Sequence, residues 1–251
     1  MGTSDLTGKR VLITGAASGI GLATARAFGS AGASVAVNYL PGDSRGESAL
    51  AELSRNGNPV LGAPGDVARR ESAERMVSET VSALGGLDVL VNNAGITGFF
   101  EPPAFENFEA LPEELWSDIL STNLLGPFWC TKVAADHLRA TGGAVVNTAS
   151  IAAFGGCSSS MAYGASKAGL VNLTRTMAIA LAPDVRVNAV APGLVRTQMT
   201  EPWPEERKDR AIQATQLKRM VEPEEVAQAI VFLSANQAIT GQTLAVDCGL
   251  T

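Results

Sequence analysis

Histidine and cysteine are scarce in this chain of 251 residues, and their scarcity argues against two kinds of site. The one histidine, His137, is too few for a histidine metal cluster, and we predict no metal site. The three cysteines, Cys130, Cys157 and Cys248, are odd in number and far apart in the sequence. This pattern does not indicate a disulfide framework.

Positive charge is also in short supply. The chain has 19 lysine and arginine residues against 25 acidic ones, which gives a formal net charge of −6. Because nucleic-acid phosphates require a basic surface, we predict no nucleic-acid partner. The sequence has no run of eighteen apolar residues, and its first ten residues lack the apolar core of a signal peptide. We therefore expect no membrane span and a cytoplasmic location.

Hydrophobic residues, by contrast, make up 46% of the chain, which is enough for a substantial core. Strand-like apolar runs alternate with helix-like segments. The predicted strands span residues 10–14, 34–38, 59–62, 89–92, 143–148, 186–191 and 243–246. The predicted helices span residues 19–31, 46–56, 70–84, 112–140, 161–181 and 223–233. This alternation is typical of a single α/β domain over residues 1–251, a doubly wound parallel sheet of about seven strands with helices on both faces.

A glycine-rich turn lies between the first predicted strand and the first predicted helix. It contains Gly15, Ser18, Gly19, Ile20 and Gly21. Glycines allow backbone N–H groups to approach phosphates, and a helix N-terminus adds partial positive charge. We predict that this turn holds the diphosphate of a dinucleotide, which makes the sheet Rossmann-type. The glycine spacing differs from G-x-G-x-x-G, and by itself the turn fits a purely structural role equally well.

A second motif lies far downstream. Tyr163 and Lys167 are four residues apart in a predicted helix, so their side chains share one helix face. Ser150 follows an apolar strand, thirteen residues before Tyr163. Together with the glycine turn, these residues resemble the short-chain dehydrogenase/reductase family. The resemblance covers nearly the whole chain and includes a further set of residues: Thr14, Asn92, Asn93, Ala94, Gly95, Asn123, Pro192 and Gly193.

The resemblance implies an NAD(P)-dependent oxidoreductase that transfers a hydride between nicotinamide and a secondary alcohol or ketone. Tyr163 would be the general acid/base. Its hydroxyl, with a reference pKa near ~10, is a poor base at neutral pH unless a cation lowers that pKa. Lys167 would supply the cation and also reach the nicotinamide ribose, and Ser150 would hold the substrate oxygen. By resemblance, Asn123 completes the catalytic set by binding a water between Lys167 and solvent.

The resemblance also assigns residues to the rest of the cofactor, with Tyr163 and Lys167 counted among them. Asp66, followed by Val67, would accept the adenine amino group, or would instead cap the following helix. Asn93, Ala94 and Gly95 would pass beneath the adenine ribose, although Asn93 is equally suited to bracing the neighbouring loops. The segment expected at the nicotinamide carboxamide contains Pro192, Gly193, Val195 and Thr197.

The end of the second predicted strand bears on the choice between NAD and NADP. An acidic side chain there binds the ribose 2′-OH and repels a 2′-phosphate. This chain has Asn38, Tyr39 and Leu40 instead. Arg45, in the next loop, is the candidate partner for a phosphate, and Asp43 would oppose it. We expect NADP or NAD as cofactor, with a slight preference for NADP.

Two segments, 96–111 and 193–221, are long for connections in a compact domain, and long loops are often functional. By resemblance the second is a substrate lid. Several apolar residues in or near these segments suggest an apolar pocket: Phe99, Phe100, Phe154, Met199 and Trp203. The expected partner is a small alcohol or ketone, with 3-oxoacyl thioesters, aryl or cyclic ketones, sugars and polyols as candidates.

A non-catalytic dinucleotide sensor or scaffold of the same fold is the alternative function. The presence of all four residues of the catalytic set argues against it. The resemblance further implies a homotetramer, in which helices 112–140 and 161–181 supply one interface and the last strand another.

Overall fold

The structure is a computed structural model that describes residues 5–55, 59–98, 112–155 and 159–250. The described residues form a seven-stranded parallel sheet in the order β3-β2-β1-β4-β5-β6-β7. The strands are β1 (Arg10–Ile13), β2 (Ser34–Tyr39), β3 (Val60–Pro64), β4 (Val89–Asn92), β5 (Ala144–Thr148), β6 (Arg186–Pro192) and β7 (Thr243–Val246). The predicted α/β sheet is confirmed, and each strand end lies within two residues of its expected position.

The helices are α1 (Gly19–Ser30), α2 (Ser44–Ser54), α3 (Arg70–Leu84), α4 (Glu113–Leu120), α5 (Gly126–Arg139), α6 (Met161–Leu181), α7 (Glu205–Ala214) and α8 (Pro223–Ala235). A π-helical segment, Ser121–Leu125, joins α4 to α5. A short 3₁₀ turn, Ile151–Phe154, precedes α6. Within the described residues, no helix is both long and apolar enough to cross a bilayer.

The core lies on both faces of the sheet. On β1, Val11 and Ile13 join the apolar cluster beneath α1 and α8, whereas Leu12 joins the opposite cluster beneath α3, α5 and α6. All three side chains are fully buried. Burial on both faces explains why the strands read as continuous apolar runs rather than as alternating polar and apolar residues.

The winding of the sheet reverses at β1, which lies between β2 and β4. In an open parallel sheet, the connections beyond the carboxyl ends of two such strands diverge to opposite faces and leave a crevice. The glycine-rich turn follows β1, and Asn93 follows β4. The fold therefore places the predicted motifs at the mouth of one crevice.

One long helix was expected over residues 112–140, and the structure corrects this. The helix is interrupted by the π-helical segment around Asn123. Pro127, in the first turn of α5, has no N–H to donate to the carbonyl oxygen of Asn123, four residues earlier. A missing helical hydrogen bond at this point favours the wider π turn.

A second difference is α7, which lies inside the predicted lid. None of its residues is buried, so its sequence shows no apolar stripe from which a helix could be predicted. Helix α2 also begins two residues earlier than expected, at Ser44, because the side chain of Asp43 caps it by accepting a hydrogen bond from the backbone N–H of Arg45. The expectations for Phe99, Phe100 and Cys157 lie outside the described residues.

Candidate active site

The glycine turn requires glycine at several positions for different steric reasons. Gly15 and Gly19 have φ values of +62° and +54°, in the left-handed region that other residues rarely adopt. A Cβ on Gly15 would lie 2.8 Å from the Cα of Ala94, and a Cβ on Gly21 would collide with the carbonyl oxygen of Gly15. The backbone of the glycine turn thus lies in close contact with the backbone after β4 and with its own first residues, beside the crevice.

The N-terminus of α1 is suited to an anion. Ser18, the N-cap residue, is extended and makes no side-chain capping bond, and the first turn of the helix has no acidic residue. The amide groups of this turn are therefore not neutralised by a side chain, and the helix dipole is uncompensated. This arrangement fits the diphosphate of a dinucleotide. Ile20 and Gly21, the other predicted diphosphate residues, lie in the same turn.

Thr14 and Asn93 tie the glycine turn to the end of β4. The Thr14 hydroxyl oxygen accepts hydrogen bonds from the backbone N–H groups of Asn93 (2.9 Å) and Ala94 (3.0 Å). The amide of Asn93 donates to the carbonyl oxygens of Thr14 and Gly15, both at 3.1 Å. The bracing role considered for Asn93 is therefore observed, and its contact with the adenine ribose stays a prediction.

Asn38 holds the other side of the turn. It is 2% exposed, and its Oδ1 accepts a hydrogen bond of 3.0 Å from the backbone N–H of Gly15. Its Nδ2 donates to the carbonyl oxygens of Ala63 (2.9 Å) and Gly65 (3.0 Å). Both polar atoms of the Asn38 side chain are thus hydrogen-bonded to backbone groups. The ring of Tyr39 lies against Gly46 at the start of α2, and the predicted cofactor contacts of both residues remain untested.

Asp66 caps a turn beyond β3. Its Oδ1 accepts a hydrogen bond of 2.9 Å from the backbone N–H of Ala68, and its Oδ2 lies 3.4 Å from the Nε of Arg69. Because α3 begins at Arg70, the carboxylate caps the turn before the helix rather than the helix itself. Val67 is 5% exposed and contributes to the core. The adenine contact predicted for Asp66 and Val67 stays a prediction.

The end of β6 and the base of segment 193–221 border the glycine turn. Gly193 donates its N–H to the carbonyl oxygen of Val246 at 3.0 Å, directly after Pro192 ends the strand. Val195 is bridged to Val221, which closes the base of the segment. Thr197 then lies over Gly19, where an added Cβ would be 3.2 Å from its methyl carbon.

Tyr163 and Lys167 are presented by the first turns of α6. The hydroxyl of Ser160 caps this helix by accepting a hydrogen bond of 3.1 Å from the backbone N–H of Tyr163. The Nζ of Lys167 lies 5.6 Å from the centroid of the Tyr163 ring and donates a 2.7 Å hydrogen bond to the carbonyl oxygen of Thr148. The Tyr163 side chain is hydrogen-bonded to Ser150, which follows β5. The three predicted side chains therefore meet.

Asn123 joins α6 to the segment after β4. It is fully buried, its Oδ1 accepts a 2.9 Å hydrogen bond from the Ile96 N–H, and its Nδ2 donates to the Ile96 carbonyl oxygen at 2.9 Å. Its Nδ2 also donates to the Ser166 hydroxyl at 3.1 Å. An added Cβ on Gly95 would be 3.2 Å from the Oδ1 of Asn123 and 3.4 Å from the Nζ of Lys167. The bare backbone at Gly95 keeps the space beside both groups open.

Burial shifts the pKa values of Lys167 and Tyr163 in opposite directions. It lowers the pKa of Lys167 to about 8. It also raises the pKa of Tyr163 above its usual value, and the hydrogen bond with Ser150 opposes that shift. Loss of solvation of the phenolate is the larger of these two influences on Tyr163. The expectation that Lys167, together with oxidised nicotinamide, lowers the pKa of Tyr163 stays a prediction.

Sequence reasoning missed several residues that shape the site. Thr148 accepts a hydrogen bond through its carbonyl oxygen, and Ser160 and Ser166 are bonded through their hydroxyl groups. A serine three residues before Tyr163, at the start of an apolar helix, is a recognisable N-cap signal that would have pointed to Ser160. The others are bonded to residues distant in sequence, and no local pattern marks them.

Known proteins resemble this chain along almost its whole length. The family model described as enoyl-(acyl carrier protein) reductase matches residues 15–251. A 3-oxoacyl-[acyl-carrier-protein] reductase from Staphylococcus epidermidis is 37% identical, with 96% of this chain and 98% of the relative covered. Its counterpart from Thermotoga maritima is 38% identical, with 98% of each chain covered.

Solved structures agree with these relatives. A short-chain type dehydrogenase/reductase from Mycobacterium marinum has a TM-score of 0.90 and 34% identity, with 99% of this chain and 98% of that chain covered. A short-chain dehydrogenase from Burkholderia cenocepacia, solved in complex with NADP, has a TM-score of 0.90 and 30% identity, with 98% and 99% covered.

Proposed function

This chain belongs to the short-chain dehydrogenase/reductase family of oxidoreductases, and on that premise we propose that it interconverts a secondary alcohol and a ketone with Tyr163 as general acid/base. The observation that carries the proposal is the meeting of Tyr163, Ser150 and Lys167 beside the glycine turn. A proton donor, a hydrogen-bonding hydroxyl and a buried ammonium group are thereby brought together.

Each side chain has a distinct task in the proposed reaction. Bound nicotinamide supplies or accepts the hydride. In the reductive direction the Tyr163 hydroxyl gives its proton to the substrate oxygen, and in the oxidative direction it takes that proton back. Ser150 donates a hydrogen bond to the same oxygen and so orients it. Lys167, while protonated, stabilises the tyrosinate through its positive charge.

NADP is the proposed cofactor. A structural neighbour was solved with NADP, and no acidic residue ends β2. Arg45 lies in the first turn of α2 with its side chain 56% exposed, and it is paired with Asp43 at 2.7 Å. Its Nη1 is 3.5 Å from the Oε1 of Gln198, next to the residue that covers Gly19. Arg45 is thus a candidate to bind the 2′-phosphate of NADP, although its guanidinium group is also paired with Asp43.

Direct binding tests this assignment. Arg45→Gln should weaken binding of NADP⁺ more than binding of NAD⁺, because only the former carries the 2′-phosphate. Arg55→Gln, a substitution of an exposed arginine at the far end of α2, is the matched control. Calorimetric titration of both cofactors into both variants gives the answer. Equal losses for the two cofactors would remove Arg45 from the site.

The substrate is tested with a panel of ketones. The curated relatives are named 3-oxoacyl-[acyl-carrier-protein] reductases, so a 3-oxoacyl thioester is the first compound to assay. An aryl ketone, a cyclic ketone and a sugar complete the panel, and consumption of NADPH and NADH is followed with each. Ketone-dependent consumption is the expected result. Tight cofactor binding without turnover on any ketone would favour a dinucleotide sensor instead.

Segment 193–221 is proposed as the substrate lid. Its base is anchored, since Val195 is 5% exposed and the Thr200 hydroxyl donates a 2.6 Å hydrogen bond to the Val195 carbonyl oxygen. Its middle, α7, buries no residue. Met199 and Phe154 are 46% and 52% exposed and supply apolar surface for a substrate. An anchored base with an exposed helix above it suits a segment that closes over a ligand.

A homotetramer is the proposed assembly. Large apolar side chains are exposed at both predicted interfaces: Leu125, Phe128 and Ile179 near α5 and α6, and Leu244 on β7. Phe232, on the neighbouring helix α8, is also exposed. Exposed apolar patches commonly mark contacts between subunits. Sedimentation analysis of wild type, Phe128→Lys and Phe232→Lys tests this. A wild-type monomer would contradict the assembly.

A further inference from the structure

Four buried polar side chains form a connected chain through the core beneath the candidate active site. They are Asn92 on β4, Thr131 on α5, Asn147 on β5 and Thr174 on α6, and none is more than 3% exposed. Asn92 Nδ2 donates to Thr131 Oγ1 at 3.1 Å and to Asn147 Oδ1 at 2.9 Å. Asn147 Nδ2 donates in turn to Thr174 Oγ1 at 2.9 Å. We refer to these four residues as the buried amide chain.

Stability alone does not explain these residues. They are surrounded by the apolar cluster that includes Leu90, Cys130 and Val145. Burying an amide is unfavourable unless all of its polar atoms are hydrogen-bonded, and the Oδ1 of Asn92 has no partner in the described structure. Apolar side chains would fill the same space without that penalty. A polar connection retained here is therefore better explained by the geometry that it imposes.

The buried amide chain is directly coupled to the site. Asn147 precedes Thr148, whose carbonyl oxygen accepts the hydrogen bond from Lys167. Thr174 follows Lys167 by seven residues, which is two helical turns, so both side chains face the sheet. Helix α6 is thus attached to the end of β5 at two levels, by Lys167 at the top and by Thr174 below.

The other buried contacts of α6 with the sheet are mostly apolar and fix its register less strictly than hydrogen bonds do. Its buried residues include Ala162, Leu170, Val171, Met177 and Ala178. Apolar contacts of this kind are non-directional and tolerate small rotations or translations of a helix. Hydrogen bonds have strict distance and angle requirements, so the bond between Asn147 and Thr174 restricts both movements.

We propose that Asn147 and Thr174 are positioning residues that set the register of α6 on β5 and so hold the Tyr163 hydroxyl against Ser150. This inference rests on the proposed function for the role of Tyr163. According to this inference, Thr174, in the middle of α6, affects the position of Tyr163 in the first turn of the same helix. No contact with substrate or cofactor is implied for either residue.

Two substitutions of one residue separate the hydrogen bond from the packing. Thr174→Val keeps the shape of the side chain and removes the hydroxyl that accepts from Asn147. Thr174→Ser keeps the hydroxyl and removes a methyl group. Because small misplacements of reacting groups are costly, we expect kcat to fall roughly 10- to 100-fold in Thr174→Val, with unchanged affinity for NADP⁺. Thr174→Ser should retain most of the wild-type kcat.

Titration of Tyr163 supplies a measurement that does not depend on turnover. The chain has two tyrosines, Tyr39 and Tyr163, so labelled tyrosine gives two NMR signals, and Tyr163→Phe assigns them. Since the hydrogen bond with Ser150 lowers the pKa of Tyr163 and burial raises it, weakening that bond should move the titration to higher pH. Lys167, the charged group that the described structure places beside the ring, is unchanged in both variants.

Thr24→Val is the matched control. Thr24 is fully buried in α1, and its hydroxyl donates a 2.7 Å bond to the carbonyl oxygen four residues earlier, as the hydroxyl of Thr174 does. This control should leave the Tyr163 titration unchanged. Should Thr174→Val fail to fold, Asn147→Ala removes the same bond from the other side and should give the same shift.

An unchanged Tyr163 titration in a folded Thr174→Val protein would overturn the proposal, as would equal losses of kcat in Thr174→Val and Thr174→Ser. These outcomes differ from a failure of the proposed function. In that case the wild type would reduce no ketone, while the NMR titration would still report whether α6 had moved.

Discussion

The two ends of the central strands differ in whether a buried charged side chain has a partner of opposite charge. At the amino end, the Asp88 side chain is 9% exposed and accepts hydrogen bonds from the Nε of Arg10 (2.7 Å), its backbone N–H (3.0 Å) and the Nζ of Lys9 (3.3 Å). At the carboxyl end, Lys167 is 3% exposed and is bonded to a carbonyl oxygen, with no carboxylate paired to it in the described residues. Asp88 has cationic partners for its buried charge, whereas Lys167 has no carboxylate partner among the described residues.

The pKa shifts express the same contrast. Burial alone would raise the pKa of Asp88, but the hydrogen bonds and charge of Arg10 and Lys9 outweigh it, and the net shift is downward. Lys167 has no such compensation, and burial lowers its pKa to about 8. The protein therefore stabilises the charged form at one end of the sheet and destabilises it at the other.

Removal of the proton donor at the carboxyl end should have the largest effect. Tyr163→Phe keeps the ring and deletes the hydroxyl, and general acid/base catalysis is worth 100- to 10,000-fold, so we expect kcat to fall about 1,000-fold. NADP⁺ affinity and the melting temperature should stay near wild type. Steady-state kinetics and calorimetric titration check both parts. Full activity in this variant would remove Tyr163 from the mechanism.

Removal of the unpaired charge should stabilise the protein while abolishing activity. The pKa of Lys167 is lower in the folded state than in the unfolded state, so its charged form opposes folding below pH ~8. Lys167→Met should therefore gain at most about 3 kcal/mol in unfolding free energy at pH 7. The gain should shrink as pH rises from about 8 to ~10.4, where the unfolded lysine also loses its proton.

Urea unfolding at several pH values measures this difference. Lys132→Met, on the exposed face of α5, is the control and should show no comparable pH-dependent gain. If Lys167→Met is less stable than wild type at pH 7, the buried ammonium contributes to folding and the contrast between the two ends is wrong.

Breaking the ion pair at the amino end should have the reverse profile. Asp88→Asn should cost about 2 kcal/mol of unfolding free energy, since hydrogen bonds to a buried charged group are lost, with kcat/KM unchanged. The pKa of Asp88 is lowered by folding, so its contribution is present above pH ~4 and disappears as the pH falls below it. Asp136→Asn, in a pair whose carboxylate side chain is 91% exposed, is the control for unfolding experiments. A loss of activity in Asp88→Asn would show that the two ends are coupled.

An exposed ion pair should give the smallest effect. Arg219 and Glu225 form a bidentate pair with two contacts of 2.7 Å, but their side chains are 45% and 37% exposed. Arg219→Gln should cost only about 0.5 kcal/mol of unfolding free energy, because solvent screens such pairs. A loss as large as that of Asp88→Asn would show that burial is not what distinguishes the two ion pairs.

Local patterns predicted much of this molecule. The strands were found from their apolar runs, and the glycine turn, Ser150, Tyr163 and Lys167 from motifs whose members lie close in sequence or in a known order. The π-helical segment was not found, because the residues around Asn123 read as ordinary helix. The side chain of Asn123 is bonded to the backbone of Ile96, which lies 27 residues away in the sequence.

The roles of single polar residues were harder to predict for the same reason. The side chain of Asn38 is bonded to the backbone at the end of β3 and in the glycine turn, partners that the sequence did not indicate. Its predicted contact with the cofactor stays a prediction. Asn147 and Thr174 were not singled out, since a polar residue in an apolar strand or helix carries no mark of its partner. Partnership between distant residues is a property of the folded chain.

By itself, the sequence predicted a doubly wound α/β sheet, a glycine-rich turn after its first strand and a Tyr–Lys pair on one helix face, because backbone geometry and helix spacing are encoded over a few neighbouring residues. The dehydrogenase function was implied by the resemblance to a known family. Only the tertiary structure decided which charges are compensated and in which direction burial shifts the pKa values of Tyr163 and Lys167. Those properties depend on burial and on hydrogen bonds between strands and helices that meet only after folding.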